Sequence, residues 1–127
     1  MKSATILIVE DEPSWRELYK EIVVDSGYFC EVVASVEKAI EKLQKQFFNL
    51  AILDIRLVDP DPANEGGLEI LKWLVKKQID TKVVICTGYP TLERTRSSFL
   101  SGKVVDFLSK DTFSESQFLS IISKYGR

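Results

Sequence analysis

The stretch Ala4-Thr5-Ile6-Leu7-Ile8-Val9-Glu10-Asp11-Glu12-Pro13 decides the fold: an apolar run that stops abruptly at three acids and a proline. A near-continuous apolar run of this length suits a strand covered on both faces, and Pro13 suits the first position of the helix that follows. The same punctuation recurs along the chain. Leu50-Ala51-Ile52-Leu53 stops at Asp54, Lys82-Val83-Val84-Ile85-Cys86 stops at Thr87-Gly88, and Val104-Val105-Asp106-Phe107-Leu108 leads into Lys110.

Helical spacing fills the gaps. Trp15, Leu18, Ile22 and Val23 mark a first helix closed by Gly27, and residues 28–34 read as a short strand. Ser35 is a candidate N-cap, with Lys38 where a capping box would place an acid. Val36, Ala39, Ile40 and Leu43 carry that helix to about Gln46, and a strand follows over 49–54. Ile55 to Gly66 is rich in Asp and Pro and reads as a loop. Leu68, Ile70, Leu71, Leu74 and Val75 set out the next helix, a weaker pattern spans 91–101, and Ser114 caps a last helix bearing Phe118, Leu119, Ile121 and Ile122. Alternating strands and helices imply an α/β domain over 1–127: an open parallel sheet with right-handed crossovers and helices on both faces. Such sheets bind ligands at the carboxyl ends of their strands, a rule that selects Glu10, Asp11, Asp54, Thr87 and Lys110.

With 45% apolar and 28% charged residues the composition is that of an ordinary folded domain, neither disordered nor membrane-embedded. No apolar run approaches the roughly 20 residues that span a bilayer, so a cytoplasmic protein is expected. The net charge of −2 disfavours a dedicated nucleic-acid binder. Cys30 and Cys86 sit in apolar runs and read as buried hydrophobes. The chain has no histidine, which removes imidazole acid–base catalysis and leaves oxygen ligands, hence hard cations such as Mg²⁺.

Five pieces occur in order: Val9-Glu10-Asp11-Glu12-Pro13, Asp54, Gly66-Gly67-Leu68-Glu69-Ile70, Thr87-Gly88 and Asp106-Phe107-Leu108-Ser109-Lys110. Through them the chain resembles, over essentially its whole length, the receiver domain of bacterial two-component response regulators. The resemblance implies a flavodoxin-like doubly wound sheet of five parallel strands, order 2-1-3-4-5, with five helices. It implies a phosphorylation-dependent switch in which Asp54 accepts a phosphoryl group from a histidine kinase or histidine phosphotransfer protein. Mg²⁺ would be bound by Asp11 and Asp54 directly, by Glu10 through water and by Arg56 through its backbone carbonyl. Lys110 would pair with Asp54 and then with the phosphoryl group, Thr87 would donate its hydroxyl, and Thr87 and Phe107 would form the switch. Output would pass to a downstream protein target or to a fused output domain, with no membrane and no direct nucleic-acid contact. Catalysis would be limited to the domain's own phosphorylation and dephosphorylation.

Each residue has a plainer reading. Glu10 and Asp11 can be helix-start acids, as Glu12 is read here; Thr87 a turn residue; Lys110 a surface lysine; Phe107 core packing. A pseudo-receiver, a phosphorylation-independent interaction module on the same fold, stays open. Against an aspartyl phosphatase, Arg56 stands where a second acid is wanted; against flavin binding, the first strand ends in acids.

Three departures from the family pattern bear on the site. The loop after Asp54 is longer and adds Asp59, Asp61 and Glu65. Asp111 follows Lys110 in place of the usual proline, and a cis bond before a non-proline costs about 2.5–4 kcal/mol. A trans peptide is therefore expected, one that threatens to displace Lys110. Gly102 to Asp106 is one residue longer than usual, which is expected to alter the helix before the fifth strand or its exit loop. Arg56 and Tyr89 border the route of hydrolytic water in the family, where their bulk would shield an acyl phosphate.

Overall fold

Neighbouring residues of a strand point to opposite faces of its sheet, so a strand that is apolar at every position needs cover on both sides. A computed structural model describes residues 4–54, 66–87 and 102–126, with the main chain only at 66–68 and 87. Strands β1 (Thr5–Val9), β2 (Phe29–Val33), β3 (Leu50–Leu53), β4 (Lys82–Thr87) and β5 (Val104–Ser109) form one parallel sheet in the order β2-β1-β3-β4-β5. Four helices are described: α1 (Pro13–Asp25), α2 (Val36–Lys45), α3 (Gly66–Lys76) and α4 (Glu115–Tyr125). The helix expected over 91–101, residues 55–65 of the expected Ile55–Gly66 loop, Arg56 and Tyr89 lie outside the described residues, and Gly66 begins α3.

The pleat sorts the core into two layers. Leu7, Val9, Ala51, Leu53, Val83 and Ile85 pack with Ala39 and Leu43 of α2 and with Ile70, Leu71 and Leu74 of α3. Their neighbours Ile6, Ile8, Leu50, Ile52, Val84 and Cys86 pack on the other face with Tyr19, Ile22 and Val23 of α1 and with Phe118, Ile121 and Ile122 of α4. Each fully buried Ile or Leu contributes on the order of 1.5–3 kcal/mol, far more than the few tenths that separate helix propensities. Burial of these two layers therefore sets where the helices lie.

Local signals place the helix starts. Ser35 Oγ accepts from the Lys38 N–H at 3.2 Å, and Ser114 Oγ from the Gln117 N–H at 3.3 Å. The expected apolar faces need amendment in places. Val75 is 42% exposed, because it lies off the side of α3 that carries Ile70, Leu71 and Leu74. Tyr19 is buried in α1, whereas Trp15 and Leu18 are only partly covered. Cys30 is half-buried on edge strand β2, unlike fully buried Cys86.

Between Gly102 and Asp106 the described residues show an irregularity in the strand itself, while the helix that the extra residue was expected to alter lies outside the described residues. Val83 pairs with Val104 but Val84 pairs with Asp106, so Val105 is a bulge residue. A bulge is tolerated here because β5 is an edge strand, with no further strand beyond it among the described residues. It shifts the alternation by one. Val104 and Phe107 consequently pack on the α2–α3 side, and Val105 and Leu108 on the α1–α4 side.

Beyond α3, Gln78 is the non-glycine residue with positive φ (56°) among the described residues. It closes the helix: its N–H donates to Val75 O at 3.1 Å, and the Ile79 N–H to Leu74 O at 3.0 Å. A side chain makes this conformation cost about 1–2 kcal/mol, and glycine avoids that while adding about 0.4–1 kcal/mol of unfolded-chain entropy. Gln78→Gly is therefore expected to raise stability by about 0.5–1 kcal/mol in urea unfolding. A net loss would show that the glutamine side chain supports the turn.

Candidate functional site

Three strand ends meet above the sheet. Main-chain hydrogen bonds continue past β1 and β3: the Glu10 N–H donates to Val33 O at 3.1 Å, and the Asp54 N–H to Val9 O at 3.2 Å. Glu10 and Asp54 are thereby held at the sheet's carboxyl edge with their side chains buried, at 1% and 4% exposure. Asp11, half-buried, begins the turn into α1. One carboxylate oxygen from each of Glu10, Asp11 and Asp54 lies within 4.8 Å of the others. At an effective dielectric near 20, two full charges that close repel by roughly 3 kcal/mol, more than one ordinary hydrogen bond offsets.

Lys110 supplies the counter-charge. Its Nζ lies 2.6 Å from Glu10 Oε1 and 3.2 Å from Asp54 Oδ2, the first an ion-pair contact and the second an aligned hydrogen bond. Burial alone would lower the Lys110 pKa, and pairing with Glu10 and Asp54 more than reverses this, so the net shift is upward. Burial pushes the Glu10 carboxyl up to about 7. The Lys110 contact opposes this, Asp54 adds to it, and the Glu12 N–H, which donates to Glu10 Oε2 at 3.1 Å, opposes it again.

The feared displacement of Lys110 does not occur. All described peptide bonds are trans, the one after Lys110 included. Lys110–Thr112 instead form a 3₁₀ turn capped by Ser109, whose Oγ accepts from the Asp111 N–H at 3.2 Å. The turn points the lysine stem inward and leaves Asp111 exposed.

Of the residues selected from sequence, the structure brings together Glu10, Asp11, Asp54 and Lys110. Thr87 ends β4 beside these strands, and its side chain lies outside the described residues, as does Arg56. Phe107 is half-buried against the core on the α2–α3 face, with its N–H bonded to Asp106 Oδ1 at 2.8 Å. Glu12 is exposed and serves as the N-cap residue of α1 without a side-chain cap bond.

Helix α1 contributes three residues that sequence reasoning missed. Arg16 Nη1 donates to the carbonyls of Glu10 (3.1 Å) and Asp11 (2.9 Å), fixing the acidic turn. A signal existed, since a cation near a helix N-terminus opposes the macrodipole and needs a local reason. Trp15 places its ring centroid 5.3 Å from Lys110 Nζ. Tyr19 shares a buried hydrogen bond with Cys86 Sγ at 3.0 Å. Burial raises both pKa values, Cys86 to about 12, so this thiol stays protonated and is a poor nucleophile.

A family model described as "Response regulator receiver domain" matches residues 6–123. The alginate biosynthesis transcriptional regulatory protein AlgB of Pseudomonas aeruginosa is 29% identical over 86% of this chain, and a putative response regulator NtrX-like of Rickettsia felis 31% over 87%. The chain spans 23% and 22% of those two relatives' lengths. Among solved structures, a response regulator receiver domain protein (CheY-like) from Methanospirillum hungatei JF-1 superposes with TM-score 0.84 at 29% identity, covering 97% of this chain and 93% of that one. The signal receiver domain of a putative Luxo repressor protein from Vibrio parahaemolyticus gives 0.85 at 27%, covering 98% and 90%.

The raised Glu10 pKa has a direct consequence for stability. A carboxyl that titrates higher in the folded than in the unfolded chain contributes fully below about pH 4.5, and that contribution is lost as pH rises through about 7. In buffer free of divalent cations, Glu10→Gln is expected to match the wild type near pH 5 and to be the more stable of the two near pH 8. Urea midpoints at both pH values check this; a gap that does not change with pH overturns it.

Proposed function

The chain belongs to the response regulator receiver domain family, and from that premise we propose that it is a phosphorylation-dependent signalling switch with Asp54 as the acceptor. One observation carries the reading. Asp54 ends β3 buried, 3.2 Å from the Lys110 ammonium, within a trio of carboxylates close enough to share a cation.

The proposed reaction is transfer from an N-phosphorylated imidazole of a histidine kinase or histidine phosphotransfer protein. A carboxylate oxygen of Asp54 attacks phosphorus, the P–N bond breaks as the O–P bond forms, and the bonding pair returns to the imidazole nitrogen. The product is an acyl phosphate. Lys110, already paired with Asp54, would follow the negative charge onto a phosphoryl oxygen. Receiver domains of this family bind Mg²⁺ at an acidic pocket, and the oxygen-only donor set here suits that hard ion. Asp11 and Asp54 are its proposed direct ligands, with Glu10 acting through water and Arg56 through its backbone carbonyl. Mg²⁺ would supply neutralisation of the phosphoryl oxygens.

For the output we assign Thr87 and Phe107. A shift of Thr87 toward the phosphoryl group would leave space for Phe107, half-buried against the α2–α3 face, to turn inward. A ring that can move deeper there biases a two-state surface. The downstream recipient would be a protein target or a fused output domain, and the setting the cytoplasm. No helix among the described residues is long and apolar enough to cross a membrane.

Incubation with phosphoramidate and Mg²⁺ followed by intact mass tests the reading. The wild type is expected to gain one phosphoryl group, and Asp54→Asn or a chelated sample to gain none. Absence of any gain under conditions that preserve acyl phosphates would favour a phosphorylation-independent interaction module.

A further inference from the structure

The ammonium of Lys110 forms an ion pair with Glu10 and donates a hydrogen bond to Asp54. The Trp15 ring lies within cation–π range of the same nitrogen, and the lysine side chain is only 9% exposed. Water therefore does little for this charge, and the ring face supplies part of the lost solvation. The same indole meets the far end of the turn. Phe113, the residue just after the 3₁₀ segment, packs edge-on against Trp15 with centroids 5.3 Å apart and planes at 76°. Phe113 also lies 5.8 Å from the Tyr19 ring and 5.6 Å from Phe118, which ties it into the α1–α4 layer.

The turn's own bonds are weak supports. Phe113 N–H to Lys110 O is 3.4 Å, and the Ser109 cap is 3.2 Å; short 3₁₀ segments also have poor hydrogen-bond geometry. Trp15 touches both ends of that turn, the ammonium that leaves it and the aromatic that anchors it.

We propose that Trp15, backed by Phe113, is the positioning residue for Lys110: its indole holds the ammonium over Glu10 and Asp54 where the trans Lys110–Asp111 turn alone would leave it loose. Its catalytic part rests on Asp54 being the phosphoryl acceptor, and its geometric part does not. Trp15 acts through Lys110 and touches neither the phosphodonor nor the acceptor.

The experiment is a double-mutant cycle on the full chain. Initial rates of phosphorylation by phosphoramidate with Mg²⁺ are measured for wild type, Trp15→Phe, Trp15→Leu, Lys110→Ala and the Leu/Ala pair. Trp15→Leu, which keeps apolar bulk but no ring face, is expected to be about tenfold slower, the size of a desolvated cation–ring contact. Trp15→Phe should stay within about threefold of wild type, as a ring of the same kind but smaller. In the Lys110→Ala background, Trp15→Leu should have no further effect. Equal slowing in both backgrounds, or no slowing in either, overturns the proposal.

A second readout needs no phosphoryl transfer. Lysine amines are labelled with limiting acetic anhydride and read by peptide mass. Lys110 labelling should rise severalfold in Trp15→Leu and little in Trp15→Phe, with exposed Lys45 unchanged. If the wild type takes no phosphate but Lys110 is unmasked in this way, the acceptor reading fails and the positioning role stands. If Lys110 labelling does not change, the positioning role fails whatever the chemistry of Asp54.

Discussion

One ammonium organises the carboxyl edge of the sheet. Glu10 and Asp54 come from adjacent strands, and their burial would set two carboxylates against each other with little water between them. Lys110 enters from β5, on the far side of β4, and its long stem crosses that strand to reach both. Buried ion pairs are seldom strong contributors to net stability, because desolvation consumes most of their attraction. Their effect here is geometric. Removing the lysine takes away the cation that Glu10 and Asp54 share, so the acids, the β5 turn and the lysine are arranged jointly.

Helix α1 supports that arrangement from one side. Arg16 holds the carbonyls of the acidic turn, Trp15 lies against the lysine, and Tyr19 reaches under the site to Cys86 at the end of β4. Tyr19 stacks on Phe118 with centroids 5.1 Å apart and planes at 9°, which couples the helix to α4. The site thus rests on packed aromatic rings, and small displacements of one wall are resisted by the others.

What could be read from sequence follows a physical division. Strands β1, β3 and β4 and the caps at Ser35 and Ser114 are local signals, carried by residues a few positions apart, and the acids and lysine follow from the rule about strand ends. Tyr19 escaped because its partner Cys86 is 67 residues away and nothing local marks the pair. The extra residue near Asp106 could be counted but not placed, since a loop, a helix end or a strand bulge all absorb one residue. Lys110 drew doubt for a related reason. Loss of the proline after it is visible in the sequence, whereas the aromatic contact between Phe113 and Trp15 that accompanies the alternative turn exists only in three dimensions.

The bulge at Val105 also makes the two margins of the sheet unlike. An edge strand offers a row of unpaired N–H and C=O groups to any passing strand, and irregular pairing spoils that row. On the β5 side the ladder is interrupted between Val83 and Val84, while β2 runs in unbroken register with β1 and carries Phe29 at 50% exposure. Among the described residues, one margin is thus blunted against strand addition and the other is a regular template. Edge-to-edge aggregation of the folded domain would start from β2.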